Sequence, residues 1–307
     1  MNWRGTVRRH WGGLLSVCVL LLLAACGQSA NPAAPQTSQG DLVPVLAVSE
    51  LDVGPNRIPI GVLQDGTPIN DPDLRLGMRF FYLDGSEDTK VQSESSAVYR
   101  GEGLPFGLYV GYATFDQPGN WSVEISVPRD GGSPQVTNMR LNVLTNPKAP
   151  TVGQEAPPSK NLTLKDNPDL SQITSDANPD ADLYQMSVAD AVAADKPFLV
   201  AFSTPGYCQT AVCAPNMLVI KKLKDEYKSQ VNFIHIEVYP YPFGESFQQQ
   251  RRVTPMIDWH LDTEPWTYLV DADGIIQARY EGGITFTELE PALAELAAGQ
   301  AITPPVQ

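Results

Sequence analysis

Two cysteines five positions apart, Cys208 and Cys213, are the side chains of this 307-residue chain best suited to chemistry. Two thiols within reach can pass between dithiol and disulfide: a thiolate attacks a disulfide sulfur and the second thiol resolves the mixed product. The intervening residues are Gln209-Thr210-Ala211-Val212. In a continuous helix five steps rise ~7.5 Å, beyond the ~4.4–6.8 Å Cα separation of a disulfide. The segment must therefore loop if the two sulfurs are to bond. Pro215, in a first helical turn, would start a helix near Ala214 and leave 208–213 free to loop. That arrangement brings Cys213 nearest the helix start, where partial positive charge and free N–H groups favour a thiolate. A permanent disulfide that stiffens the loop is the alternative, although a loop this short constrains the unfolded chain by only about 2 kcal/mol.

The residues around the pair read as alternating helices and strands. Ser187-Val188-Ala189-Asp190 is a capping box for a short helix, ended by Lys196-Pro197. Phe198-Leu199-Val200-Ala201-Phe202 is an apolar run of the buried-strand type. A helix from about Ala214 to Tyr227 would point Met217, Leu218, Ile220 and Leu223 toward a core and Lys221, Lys222 and Lys224 toward solvent. Val231 to Val238 reads as a strand, and Thr254-Pro255 opens a short helix with threonine as cap. Trp266–Asp271 and Ile275–Tyr280 form strands joined by an Asp273-Gly274 turn. Thr285 then caps a last helix that runs to about Ala298.

This order, with a cysteine directly after the first buried strand, resembles the thioredoxin superfamily over roughly residues 184–300. Pro215 lies near that family's helix proline. Glu264-Pro265-Trp266-Thr267-Tyr268-Leu269-Val270-Asp271-Ala272-Asp273-Gly274 matches the stretch carrying its cis-proline and following hairpin. The resemblance implies an α/β thioredoxin-like fold in which Cys208 attacks, Cys213 resolves and Pro265 is the cis-proline shaping a substrate groove. Tyr207 and Trp266 are candidate walls of that groove and equally candidate packing residues. Four residues between the cysteines, where thioredoxins have two, depart from the pattern and leave the nucleophile's identity open. Copper-delivering relatives use cysteines three apart plus a histidine whose position falls near Thr263 here; His260 lies slightly upstream, and His235 reads as a core or edge residue of an apolar strand. Copper(I) on two thiolates stays an option on softness alone, but no metal and no cofactor is expected. Peroxidase chemistry is not expected, because Pro205 stands where peroxiredoxins carry a threonine.

The first residues address the chain. Arg4, Arg8 and Arg9 precede an apolar run from Leu14 to Ala25, the layout of a secretory signal peptide and too short to span ~30 Å of hydrocarbon as a helix. Leu23-Ala24-Ala25-Cys26-Gly27 resembles the bacterial lipobox, which implies a lipid on Cys26, signal peptide 1–25 removed, and anchoring to the cell membrane or an outer membrane facing an extracytoplasmic compartment. Several acyl chains make that anchoring stable. Lipidation leaves Cys208 and Cys213 as the remaining mature thiols, and in an oxidising compartment such a pair is a disulfide or a redox couple. With 21 basic and 35 acidic side chains and three arginines in the signal, the mature net charge is about −17. So acidic a surface excludes nucleic acid as a partner; exported protein thiols or disulfides are the expected one.

Residues 26–41 read as a flexible tether. Residues 42–145 alternate apolar and polar in short runs at Leu74–Phe80, Leu108–Phe115, Trp121–Val127 and Met139–Val143, separated by turn residues. That pattern predicts an all-β, immunoglobulin-like sandwich. Six prolines in 146–183 mark a linker without regular elements, and 301–307 form a tail. The expected organisation is thus two domains, a β-sandwich followed by a thioredoxin-like fold. A non-catalytic scaffold lipoprotein whose disulfide is structural is the competing functional class.

Overall fold

A computed structural model describes residues 40–85 and 90–303. The signal peptide, Cys26 and most of the tether lie outside the described residues. No helix among the described residues is long and apolar enough to cross a membrane.

Residues 42–144 form nine strands: β1 (Leu42–Leu46), β2 (Leu51–Asp52), β3 (Gly54–Gln64), β4 (Thr67–Pro68), β5 (Leu76–Tyr82), β6 (Val91–Tyr99), β7 (Tyr109–Phe115), β8 (Gly119–Val127) and β9 (Gln135–Leu144). All four runs expected from alternation contain strands. The alternation is regular in β8, where Trp121, Val123, Ile125 and Val127 are buried and the residues between are half-buried; β7 buries Val110 as well, and in β9 Met139 is half-buried. Instead of two separate sheets, the strands make one hydrogen-bonded path, β1-β3-β7-β6-β5-β8-β9-β2, with β4 added to β3. The reason lies in β6. Its first part pairs with β5, whereas Val98 and Tyr99 pair with Val110 and Tyr109 of β7. One strand thereby joins what a sandwich keeps apart, and the sheet wraps around a single core of residues from both halves, with Trp121, Phe80 and Phe115 at its centre.

The second region contains α1 (Val188–Val192), β10 (Phe198–Ser203), α2 (Cys213–Tyr227), β11 (Asn232–Glu237), α3 (Phe243–Gln248), α4 (Thr254–Asp258), β12 (Trp266–Val270), β13 (Ile276–Glu281) and α5 (Phe286–Ala297). Its four strands run β11-β10-β12-β13, with β10 parallel to β11 and the other pairings antiparallel. Every residue of central β10 is buried. Phe198, Val200 and Phe202 enter one apolar layer with Trp259 and Tyr268, while Leu199 and Ala201 enter the other with α2 and α5. The Ser187–Asp190 capping box forms as the sequence implies. Three details differ. Leu218 is 68 % exposed, because the core stripe of α2 runs through Met217, Ile220 and Leu223. Thr254 is the first helical residue of α4 and Val253 occupies the cap. Helix α3 was not expected.

The proline-rich stretch is a strap more than a free linker. Gly153 N–H donates to Ile276 O and Ile276 N–H to Gln154 O, at 2.8 and 2.9 Å, and Ala156 N–H donates to Gly274 O at 2.8 Å. The strap thus satisfies backbone groups near the end of the β12–β13 hairpin, and it buries Ala149 and Ala156 against the second core. Two short 3₁₀ turns, Leu170–Gln172 and Ala181–Tyr184, complete it.

The two regions share a closely bonded junction. Arg57 of β3 donates Nε and Nη2 to the two Glu288 oxygens of α5 at 2.6 and 2.8 Å, Nη1 to Glu281 O at 2.8 Å and Nη2 to Gly283 O at 2.7 Å. The two side chains are only 6 % and 2 % exposed. Tyr112 adds an O–H donor to Glu288 at 2.8 Å, and Arg279 of β13 pairs with Asp52 at 2.7 Å. A buried charge pair survives only when its remaining donors and acceptors are matched, and this one is.

Candidate functional site

Register places the site at one end of the small sheet. Ser203 closes β10 beside Glu237 of β11, and Phe202 lies opposite Trp266 of β12. The chain leaving β10 therefore emerges between the acid at the end of β11 and the Glu264-Pro265 step that precedes β12. Into this position the loop 208–212 delivers both sulfurs.

Cys208 and Cys213 form a disulfide with a Cα separation of 5.9 Å. The loop closes because Ala211 takes a left-handed conformation, φ +60°, which reverses the backbone and lets Cys213 begin α2. Cys213 N–H, one of the free donors of the helix start, points at Cys208 Sγ at 3.3 Å. The Thr210 hydroxyl, 3.3 Å away, can donate to the same sulfur. Burial separates the two sulfurs: Cys213 is completely buried and Cys208 half-exposed. An incoming thiolate reaches Cys208, and cleavage of the bond would leave a thiolate on that sulfur's buried partner. Accessibility thus leaves Cys208 as the sulfur open to attack, whereas Cys213 holds the helix end.

The Glu264–Pro265 peptide is cis and Pro265 is buried. Tyr207 stands beside the loop, with its ring 5.6 Å from that of Phe247 on α3. Trp266 is 3 % exposed, stacks on Tyr268 at 5.7 Å and donates Nε1–H to Thr263 Oγ1 at 3.0 Å. It is a packing residue. His235 is buried and neutral: Nδ1 faces the Tyr184 hydroxyl at 2.7 Å, and Nε2 lies 3.1 Å from Ser203 Oγ. Burial lowers its pKa to about 4, as expected of a core histidine. His260 is exposed.

Three contributors escaped the sequence. The Glu264 carboxyl lies 2.9 Å from Cys213 Sγ. Burial, then the charge of Glu237, pushes its pKa up to about 7, against a smaller pull down from the Thr204 backbone N–H and Arg252. Glu237 is also raised by burial; it accepts from Ser175 N–H and Oγ–H, both at 2.7 Å. An acid among the apolar residues Phe233, Ile234, Ile236 and Val238 was the available signal for it. The third contributor comes from the β region. Leu104 and Leu108 pack with Val110 against Val212, the residue before Cys213, and a Cβ on Gly283 would lie 2.8 Å from Leu104. The first region therefore covers one side of the cysteine loop. Both sulfurs and a Glu264 oxygen fall within 4.8 Å of one another, and among the described residues no histidine joins this group; sulfurs bonded to each other have no thiolate to offer a metal.

Residues 184–297 match the family model described as a thioredoxin-like domain. No curated protein matches the chain. Among solved structures, a thioredoxin-like protein in its oxidised form is 16 % identical and aligns over 34 % of this chain and 80 % of its own, with a TM-score of 0.27. A thiol:disulfide interchange protein of the thioredoxin family from Chlorobium tepidum TLS is also 16 % identical, over 36 % of this chain and 86 % of its own, with a TM-score of 0.29. The C-terminal region of this chain is a thioredoxin-like domain, and its cysteine pair is joined as a disulfide.

Proposed function

We propose that this chain is a lipid-anchored, extracytoplasmic thioredoxin-like protein that exchanges disulfides with exported proteins through Cys208 and Cys213. The observation that carries the reading is the asymmetry of the pair: a half-exposed sulfur bonded to a buried one at a helix start, close to a cis X-Pro step. Cys208 forms the mixed disulfide, Cys213 resolves it, and Pro265 with Tyr207 borders the groove in which the partner chain lies. The lipid on Cys26 keeps this exchange at a membrane surface. Serine replacement of Cys213 tests the exchange. It should trap mixed disulfides on Cys208 that reducing agent releases, and failure to trap any partner removes the reading's main support. Labelling with a fatty acid tests the anchor: label and membrane association should both vanish in Cys26→Ser.

One observation favours the second reading, a scaffold with a structural disulfide. The packing of Leu104 and Leu108 on Val212 restrains the loop that exchange requires to move. A reduction potential below roughly −300 mV would favour this scaffold. A higher potential, with ready reduction of the folded protein, would favour exchange.

A further inference from the structure

We propose that Glu264 is the proton donor and acceptor of the Cys213 sulfur, a third catalytic residue of the exchange reaction proposed above. The inference rests on that reading and deepens it. Its ground is a contact: a carboxyl oxygen lies 2.9 Å from the buried sulfur, closer than a carboxylate and a lone-pair-bearing sulfur would settle. A disulfide sulfur has no proton to give, so the hydrogen that makes this contact favourable sits on the carboxyl.

The setting keeps it there. Glu264 is held by the Glu264–Pro265 cis step on one side and by the end of β10 on the other. Four titratable or charged groups face it: Cys213 from α2, Glu237 from β11, Tyr239 just beyond β11, and Arg252 from the segment before α4. The Thr204 backbone N–H and, of the four, Arg252 favour the charged form, and the Arg252 guanidinium is engaged elsewhere, with Leu261 O and Asp262 O at 2.8 and 2.6 Å. Burial and Glu237 act the other way, which places the acid near pH 7, where a carboxyl can both give and take a proton. Glu237 also lines a cavity of about 740 Å³ together with Arg252 and Tyr239.

In the oxidised protein a partner thiolate attacks Cys208 Sγ. The Cys208–Cys213 bond breaks and its electron pair passes to Cys213 Sγ. The Glu264 proton moves to that sulfur, giving a Cys213 thiol, a Glu264 carboxylate and a mixed disulfide on Cys208. A second partner thiolate displaces Cys208 as a thiolate, which takes a proton from solvent, as the Glu264 carboxylate then does. These replace the two protons the partner thiols gave up on ionising, so the partner's two thiols have become a disulfide and this chain's disulfide two thiols. Run in reverse, the Glu264 carboxylate takes the proton from Cys213 as that sulfur attacks the mixed disulfide. Without such a group, the leaving charge would be stranded in a buried site.

The test measures reduction of the folded disulfide by dithiothreitol across pH 5–9, each rate divided by the reagent's thiolate fraction. Wild-type protein should show a bend near pH 7 with the faster limb on the acid side. Glu264→Gln, which keeps the shape and loses the proton, should lose the bend and react on the order of 100-fold more slowly on that limb. A variant with the same bend and rates would overturn the role of Glu264 while leaving exchange intact. A wild-type disulfide that resists the reagent until the protein unfolds would overturn exchange itself, and this role with it. A carbon-13 titration of the Glu264 carboxyl in wild-type protein needs no variant. Its midpoint should move when the pair is reduced, and an unmoved midpoint is fatal to the proposal.

Discussion

The β-rich region and the thioredoxin-like region spend their buried polar groups differently. At the cysteine end of the second region the buried polar groups find partners inside that region: His235 with Tyr184 and Ser203, Glu237 with Ser175, Glu264 beside Cys213. In the first region Arg57 and Asp52 point outward, and their partners belong to the other region. Among its described residues the first region holds no cluster of metal-ligating side chains; it contributes by how it is docked. A guanidinium with four bonds across the junction and two leucines on the cysteine loop make it part of the site's frame.

If that contrast is right, the largest effect will come from the junction. Arg57→Met removes one partner of a buried pair and leaves Glu288 buried without its cation, with the Tyr112 hydroxyl still donating to it, a loss that typically costs about 3–5 kcal/mol. Urea unfolding should show that loss, and Arg57→Met combined with Glu288→Leu should recover much of it. A loss below about 1 kcal/mol would mean that the regions are coupled mainly by their apolar contacts. Leu108→Ala probes those contacts directly. Deleting a buried leucine side chain costs about 2–5 kcal/mol, and because Leu108 shares one small buried cluster with Val212, the disulfide should also be reduced several-fold faster. Slower or unchanged reduction would show that the β region does not restrain the loop.

His235 tests the other half of the contrast. Its folded pKa of about 4 lies below the ordinary value of 6.5, so below pH 6.5 the unfolded chain binds a proton that the folded chain refuses. The stabilisation is complete above pH 6.5 and is lost as pH falls through 4, up to about 3 kcal/mol. Glu264 acts oppositely: its raised pKa makes stability fall as pH rises from 4.5 to about 7, by about 2 kcal/mol at most given its partial exposure. The two slopes partly cancel, so the measurement is the difference between wild type and His235→Gln. The variant should lose less stability on acidification, and identical profiles would contradict a neutral, buried imidazole.

How much of this was readable in advance follows from the same contrast. The thioredoxin-like region announced itself through local signals: an all-apolar β10, the Ser187–Asp190 box, the proline of the Glu264-Pro265 step, and a spacing that obliged 208–213 to loop. The β region was legible only where strands bury alternate residues. Strand β6, Val-Gln-Ser-Glu-Ser-Ser-Ala-Val-Tyr, carries too few apolar residues to alternate, so the strand that turns two sheets into one path was invisible. Leu218 misled because helical periodicity does not say where the stripe ends. Arg57 and Glu288 are 231 positions apart, and the acidity of Glu264 depends on neighbours that only folding assembles.

The smallest effect belongs to Ala211, at the place where the loop reverses. A left-handed conformation costs an L-residue roughly 1–2 kcal/mol, and glycine adopts it without that penalty. Glycine also enlarges the unfolded ensemble, which takes back roughly 0.5–1 kcal/mol. Ala211→Gly should therefore stabilise the oxidised protein by less than about 1 kcal/mol. The kinetic consequence is the sharper one. If the alanine's strain is relieved when the disulfide opens, glycine removes a force that favours reduction, and the potential of the pair should become more negative while the β junction is untouched. A potential that does not move would place the strain in the loop's docking on Leu104 and Leu108, and would return the control of the sulfurs to the first region.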